Sequence, residues 1–124
     1  MPVHIETAEV DEMREVPAAD GHGQPTLERV THDLGKRSLP ATLNLKLAVR
    51  FHTEPQADVS IATEVLSHTG ESVFSREDST RVPPSGKAHI AIDMLVTLAE
   101  PGHYTIHCLI DGTPWSQVVT LEST

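Results

Sequence analysis

The chain has 124 residues, enough for one domain with a single hydrophobic core. Aromatic residues make up only 3%, so that core must be built from Leu, Val, Ile, Ala and Met. A formal net charge of −9, with no run of basic residues, argues against a nucleic acid or an anionic membrane surface as partner, because both need clustered Lys and Arg.

The opening MPVHIETAEV has neither the basic nor the apolar region of a signal peptide. VHIETAEV reads as a strand, and PTLERVTHDL as a second strand paired with it across the turn-rich loop PAADGHGQP. A short helix over residues 8–16 competes, since AEVDEMREV is made of helix-tolerant residues. Residues 1–37 are therefore the least legible part of the chain.

Beyond Pro40 the hydrophobic period is two. In TLNLKLAVRFH, Leu43, Leu45, Leu47, Val49 and Phe51 alternate with polar or small residues, which predicts a strand with one buried face. DVSIATEVLS turns Val59, Ile61, Thr63 and Val65 to one side. His68-Thr69-Gly70-Glu71 then supplies a turn into SVFSRED, so residues 58–78 read as a β-hairpin. After the Pro/Gly loop RVPPSG comes KAHIAIDMLVTL, with Ile90, Ile92, Met94 and Val96 inward. In HYTIHCLI, Tyr104, Ile106, Cys108 and Ile110 face the core and His103, Thr105, His107 and Leu109 face away. Asp111-Gly112 is a two-residue hairpin signal. The last strand, TPWSQVVTLE, turns Trp115, Val119 and Leu121 inward. A one-residue register shift would instead expose Trp115 as an interface anchor.

Seven to eight short strands divided by turn signals describe an all-β fold: an antiparallel β-sandwich of immunoglobulin-like architecture, one domain over residues 1–124. The paired cysteines of immunoglobulin domains are missing. Cys108 is the only cysteine, so no intramolecular disulfide can form, and its inward parity makes it a small core residue. The longest nearly apolar run, IAIDMLVTLA, is interrupted by Asp93 and is far short of the roughly 20 residues of a membrane span. The expected compartment is the cytoplasm.

SLPATLNLKLAVRF and PGHYTIHCLIDGTPWSQVVTL resemble segments of a family of small uncharacterised bacterial β-sandwich proteins. In that family a Leu-rich strand follows a Pro-containing bend, and a Pro-Gly-x-Tyr strand, an Asp-Gly turn and a final strand close the chain. The resemblance implies the sandwich fold and carries no catalytic residues. HTGESVFSRED followed by the Pro-Gly-x-Tyr strand is also similar to sandwich domains that recognise polysaccharide termini on export transporters. That resemblance implies a sugar-binding face, which needs exposed aromatic side chains for stacking. This chain has only Phe51, Phe74, Tyr104 and Trp115.

The histidines at 4, 22, 32, 52, 68, 89, 103 and 107 raise the question of a metal. His103 and His107 share a strand face, but four residues at about 3.3 Å each separate them by roughly 13 Å. Zinc ligands lie about 2.0–2.1 Å from the ion, so this pair cannot chelate one metal. If KAHIAIDMLVTL and HYTIHCLID formed a hairpin about residues 99–101, one register would set Asp93 opposite His107 and His89 opposite Asp111. His89, Asp93, His107 and Asp111 are thus the candidate metal or pH-sensitive patch, against ordinary surface ion pairs as the alternative.

No catalytic set emerges. There is no Gly-x-Ser-x-Gly elbow, Gly21-His22-Gly23 is too short to cradle phosphate, and Glu77 and Asp78 point to opposite faces of a strand. No cofactor is expected. The sequence reads as a non-enzymatic interaction module that works through protein contacts with a protein partner or a second copy, as in a homodimer. A small-ligand or carbohydrate-binding domain and a metal-binding accessory subunit of an enzyme are the alternatives.

Overall fold

The structure, a computed structural model, describes residues 2–17 and 23–124. Asp20 and His22, in the expected first loop, lie outside the described residues. Among the described residues the elements are β1 (His4–Pro17), β2 (Gly23–Val30), β3 (Asp33–Arg37), β4 (Ala41–His52), β5 (Asp58–Ser67), β6 (Ser72–Arg81), β7 (Lys87–Leu98), β8 (Gly102–Ile110) and β9 (Thr113–Ser123). They form two sheets, a four-stranded one in the order β2-β1-β4-β7 and a five-stranded one in the order β3-β9-β8-β5-β6.

The alternation in the sequence becomes the core of this sandwich. From β4, Leu43, Leu45, Leu47, Val49 and Phe51 are all buried. Facing them from the other sheet are Val59, Ile61 and Val65 of β5 and Tyr104, Ile106, Cys108 and Ile110 of β8. Each large apolar side chain removed from water contributes roughly 1.5–3 kcal/mol, so this double layer is the main source of stability. Thr63 is buried too, and its hydroxyl finds Cys108 Sγ at 4.0 Å.

Local chemistry fixes the turns. Asp111 and Gly112 have φ of 47° and 83°, the left-handed pair that a tight two-residue hairpin requires between Ile110 and Thr113. Gly86 closes the Pro-rich loop at φ 77°, and a Cβ there would lie 2.9 Å from the carbonyl oxygen of Thr53. Tyr104 is buried near the start of β8, and its hydroxyl donates to the carbonyl of Glu100 at 2.6 Å. A buried phenol needs such a partner, and this one pins the connection entering β8, as the tyrosine corner does in immunoglobulin-like folds.

Three features differ from the sequence expectations. First, PTLERVTHDL is not one strand. It breaks at Thr31-His32 into β2 and β3, which belong to different sheets, and this raises the strand number among the described residues to nine. The side-chain amide of Gln117 donates to the carbonyls of Val30, at 2.8 Å, and Thr31. Thr120 N donates to the carbonyl of His32 at 3.0 Å. These bonds hold the break against β9. Second, β3 pairs with β9 in parallel, so the sheet is mixed. Third, β7 and β8 do not form a hairpin. β7 pairs with β4 along its full length, from Ala41 opposite Leu98 to His52 opposite Lys87, while β8 lies between β5 and β9. The short connection over residues 99–101 therefore crosses from one sheet to the other. The helix that competed over residues 8–16 is strand within β1.

Where β1 and β3 approach, Glu12 points inward and is buried. Arg37 of β3 grips its carboxylate with both terminal nitrogens, at 2.8 and 2.5 Å, and Arg14 Nε donates to it at 3.0 Å. Burial opposes the charged form of Glu12. The hydrogen bonds from Arg37 and Arg14 outweigh that penalty and hold its pKa below the ordinary 4.5. This ion pair ties one sheet to the other.

Candidate interaction faces

The crossover of β7 disperses the four candidate metal ligands. Asp93 stands opposite Lys46, and His89 opposite Arg50, on the outer face of the four-stranded sheet. His107 stands between Glu64 and Ser116 on the outer face of the five-stranded sheet. Packed sheets are about 10 Å apart, and residues on their two outer faces point away from each other, so the expected Asp93–His107 contact is not made. Asp111 is engaged elsewhere. Its Oδ1 accepts from the Ser60 backbone N–H at 3.0 Å and from the Ser60 hydroxyl at 3.1 Å, which fastens the β8–β9 turn to β5. Among the described residues no three His, Cys, Asp or Glu side chains gather as a metal would need.

Trp115 lies on the core side of β9, level with Cys108, half-buried and packed against the core. The register shift that would turn it outward does not occur. The other aromatic side chains are equally committed. Phe51 and Tyr104 are buried, and Phe74 packs against the core. The Cys108 thiol is buried, which raises its pKa, with a hydrogen bond from Thr63 acting in opposition. A desolvated thiol of this kind is a poor nucleophile.

The outer face of the four-stranded sheet is ordered in rows. One row crosses all four strands as Arg29, Asp11, Lys46 and Asp93, with charges alternating plus, minus, plus, minus. Arg29 Nε donates to Asp11 at 2.8 Å, and its terminal nitrogen meets Glu9 at 2.9 Å. Lys46 and Asp93 have no ion-pair partner within 4 Å among the described residues. Two residues along lies an apolar row. Leu27 is opposite Met13, and Leu95 is opposite Asn44. Met13 sits one position past the last β1–β4 rung, Glu12 with Leu45, level with Asn44. Leu27, Met13 and Leu95 are 50%, 39% and 69% exposed, which marks them as surface rather than core.

Sequence reading missed this row, although one signal was present. Leu95 is apolar at an outward position, between the inward Met94 and Val96. Met13 fell in the segment where helix and strand competed, and Leu27 in PTLERVTHDL, within the least legible part of the chain.

At the far end of the same face, Glu6 is an extra residue where the β1–β4 register shifts. Its carboxylate lies 2.8 Å from His52 Nδ1, and that hydrogen bond lowers the Glu6 pKa. The His52 ring stacks on His4 at 4.7 Å, tilted by 37°. Next to them, shallow clefts of about 340 and 440 Å³ share Arg50 and His89 in their walls.

The outer face of the five-stranded sheet has a different character. Ser60, Ser75, Ser79, Ser116, Thr105 and Thr120 dominate it. His103 Nδ1 and the Thr120 hydroxyl are 3.0 Å apart. A shallow cleft of about 480 Å³ runs over Ala62, Glu64, Glu77, His107 and Leu109. Among the described residues, Val118, 53% exposed, is its one large apolar side chain so open to solvent.

Comparison with known proteins extends to architecture. No family model matches the chain, and no curated protein matches it. Solved structures do. A glycosyl hydrolase family 2 member from Bacteroides cellulosilyticus superimposes over 98% of this chain, with a TM-score of 0.60 and 10% identity. The match takes in 14% of that protein. The alkylpurine DNA glycosylase AlkC of Pseudomonas fluorescens, bound to DNA containing an abasic-site analog, superimposes over 93% of this chain, with a TM-score of 0.50 and 12% identity. The match takes in 30% of that protein. The chain thus spans a small part of each protein, and at these identities the likeness is one of fold. Among the described residues no helix is long and apolar enough to cross a membrane. The chain is an all-β sandwich, and what it shares with part of each of these two proteins is that fold.

Proposed function

We propose that this domain is a non-enzymatic interaction module that binds protein through the outer face of its four-stranded sheet. One observation carries the reading. Three of the four large apolar side chains exposed on the described surface, Leu27, Met13 and Leu95, share that face in a single row. Contiguous exposed apolar surface rimmed by charge marks a protein contact more than it marks a reactive centre. The Ser- and Thr-rich opposite face offers less apolar area to a partner. The likeness to segments of two larger proteins supports the reading at the level of architecture.

The test places a photo-crosslinking residue at position 95, and a control at position 116 on the other outer face, in the cell that makes the protein. Protein adducts at 95 and none at 116 are expected. Absence of adducts of any kind at 95 overturns the reading.

A small anionic ligand is the second reading. It is favoured by Arg50 and Lys87, neither of which has a carboxylate within 4 Å among the described residues, beside the two clefts that share His89. Arg50→Ala abolishing a calorimetric signal with inorganic phosphate or a dicarboxylate would support it. No heat from either ligand with the unaltered protein would remove it.

A further inference from the structure

The exposed face of the four-stranded sheet is self-complementary, and we infer that its partner is a second copy of this chain, docked face to face about a two-fold axis parallel to the strands between β1 and β4. The inference rests on the interaction reading above and names the partner.

The argument is one of order along the rows. Such an axis reverses each row against its copy. Arg29, Asp11, Lys46 and Asp93 then meet Asp93, Lys46, Asp11 and Arg29 of the second molecule. Every rung becomes an opposite-charge pair, including Lys46 and Asp93, which have no ion pair of their own among the described residues. The same operation sets Leu27 against Leu95, so that exposed apolar side chains cover each other on two rungs, and sets Met13 against the polar Asn44 between them. An axis along the rows would instead put each charge on its own copy, plus on plus and minus on minus, and is repulsive throughout. The chosen axis keeps strand directions of the two sheets aligned, as face-to-face sheet packing prefers. It also passes through the middle of the sheet order β2-β1-β4-β7, so no strand is left uncovered.

Size sets the expected strength. Four strands about 4.8 Å apart and roughly eight residues long at about 3.3 Å cover about 500 Å² of projected area per copy. Two copies would bury about 1,000 Å², near the lower bound for a specific interface, so the dimer is in reversible exchange with monomer at a Kd on the order of micromolar or weaker.

Sedimentation velocity over a concentration series tests this. The unaltered protein is expected to shift from monomer to dimer. Asp11→Lys and Lys46→Asp each place like charges on two symmetry-related rungs, and each variant is expected to stay monomeric. Mixing the two variants restores opposite charges on both rungs, so the mixture is expected to dimerise again. A purely structural defect in either variant would not be rescued in this way. A mixture that stays monomeric, or single variants that dimerise like the unaltered protein, overturns the inference. If the unaltered protein remains monomeric while position 95 forms adducts with other proteins, the second-copy inference falls and the interaction reading stands. If neither dimer nor adduct forms, both fall.

Discussion

The two outer faces of this sandwich are built from the same alternating pattern and serve different ends. On the five-stranded sheet and its turns, several polar groups hold the fold. Asp111 bonds to Ser60, His103 to Thr120, and Arg37 reaches across to the buried Glu12. On the four-stranded sheet, Lys46, Asp93 and the row Leu27, Met13 and Leu95 do little for the chain that carries them. A surface whose groups are spent internally has little left for a partner. A surface with exposed apolar area and unpaired charges is where association gains most.

If this contrast holds, changes on the five-stranded sheet should cost stability and leave association alone, and changes on the other face should do the reverse. The largest effect is expected from Arg37→Met. It strips the main partner from a buried carboxylate, which typically costs about 3 kcal/mol, read as a lower midpoint in urea unfolding. The variant also changes the acid side of the stability profile. In the unaltered protein the folded pKa of Glu12 lies below 4.5, so its contribution is complete above 4.5 and is lost as pH falls through the lower folded value. Without Arg37, burial raises that pKa toward or past its ordinary value, and the loss on the acid side shrinks. A steeper acid-side loss in the variant would show that the pair does not join the sheets as described.

Asp111→Ala comes next, at about 2 kcal/mol, because it removes two hydrogen bonds to Ser60 and puts Ala in a left-handed turn position. Asp111→Asn should recover part of this, and neither variant should alter the dimer constant. On the opposite face, Leu95→Arg is expected to weaken self-association at least about tenfold, or about 1.4 kcal/mol, with an unchanged melting temperature. Val118→Arg is its control on the five-stranded face and should leave sedimentation unaffected. Equal effects from the two would erase the distinction between the faces. The smallest change is expected from His107→Ala, within about 0.5 kcal/mol in urea melts, because its facing pairs are solvated surface contacts.

Much of the fold was legible locally. Strands β4 through β9 follow from period-two alternation and from Gly, Pro and Asp-Gly punctuation, and the inward residues were named correctly down to Cys108 and Leu121. The region of β1 to β3 was harder. AEVDEMREV supports helix and strand almost equally, and Glu12 is a charged residue at a buried position that only Arg37, 25 residues away, explains. The candidate site was the least legible part. His89, Asp93, His107 and Asp111 share an outward parity, and parity says nothing about which sheet a residue belongs to.

From residue 41 onward the sequence was enough to read a sandwich, most of the residues that line its core and where the chain turns, because alternation and turn chemistry are local properties of the backbone. Tertiary structure alone decided that β7 joins β4 and not β8. A three-residue connection suits a hairpin and a crossover alike, and the choice falls to twelve rungs of pairing with a strand 35 residues upstream, closed by Tyr104 on Glu100. That single choice moved Asp93 away from His107, set it beside Lys46, and completed the row of alternating charge on which the proposed contact rests.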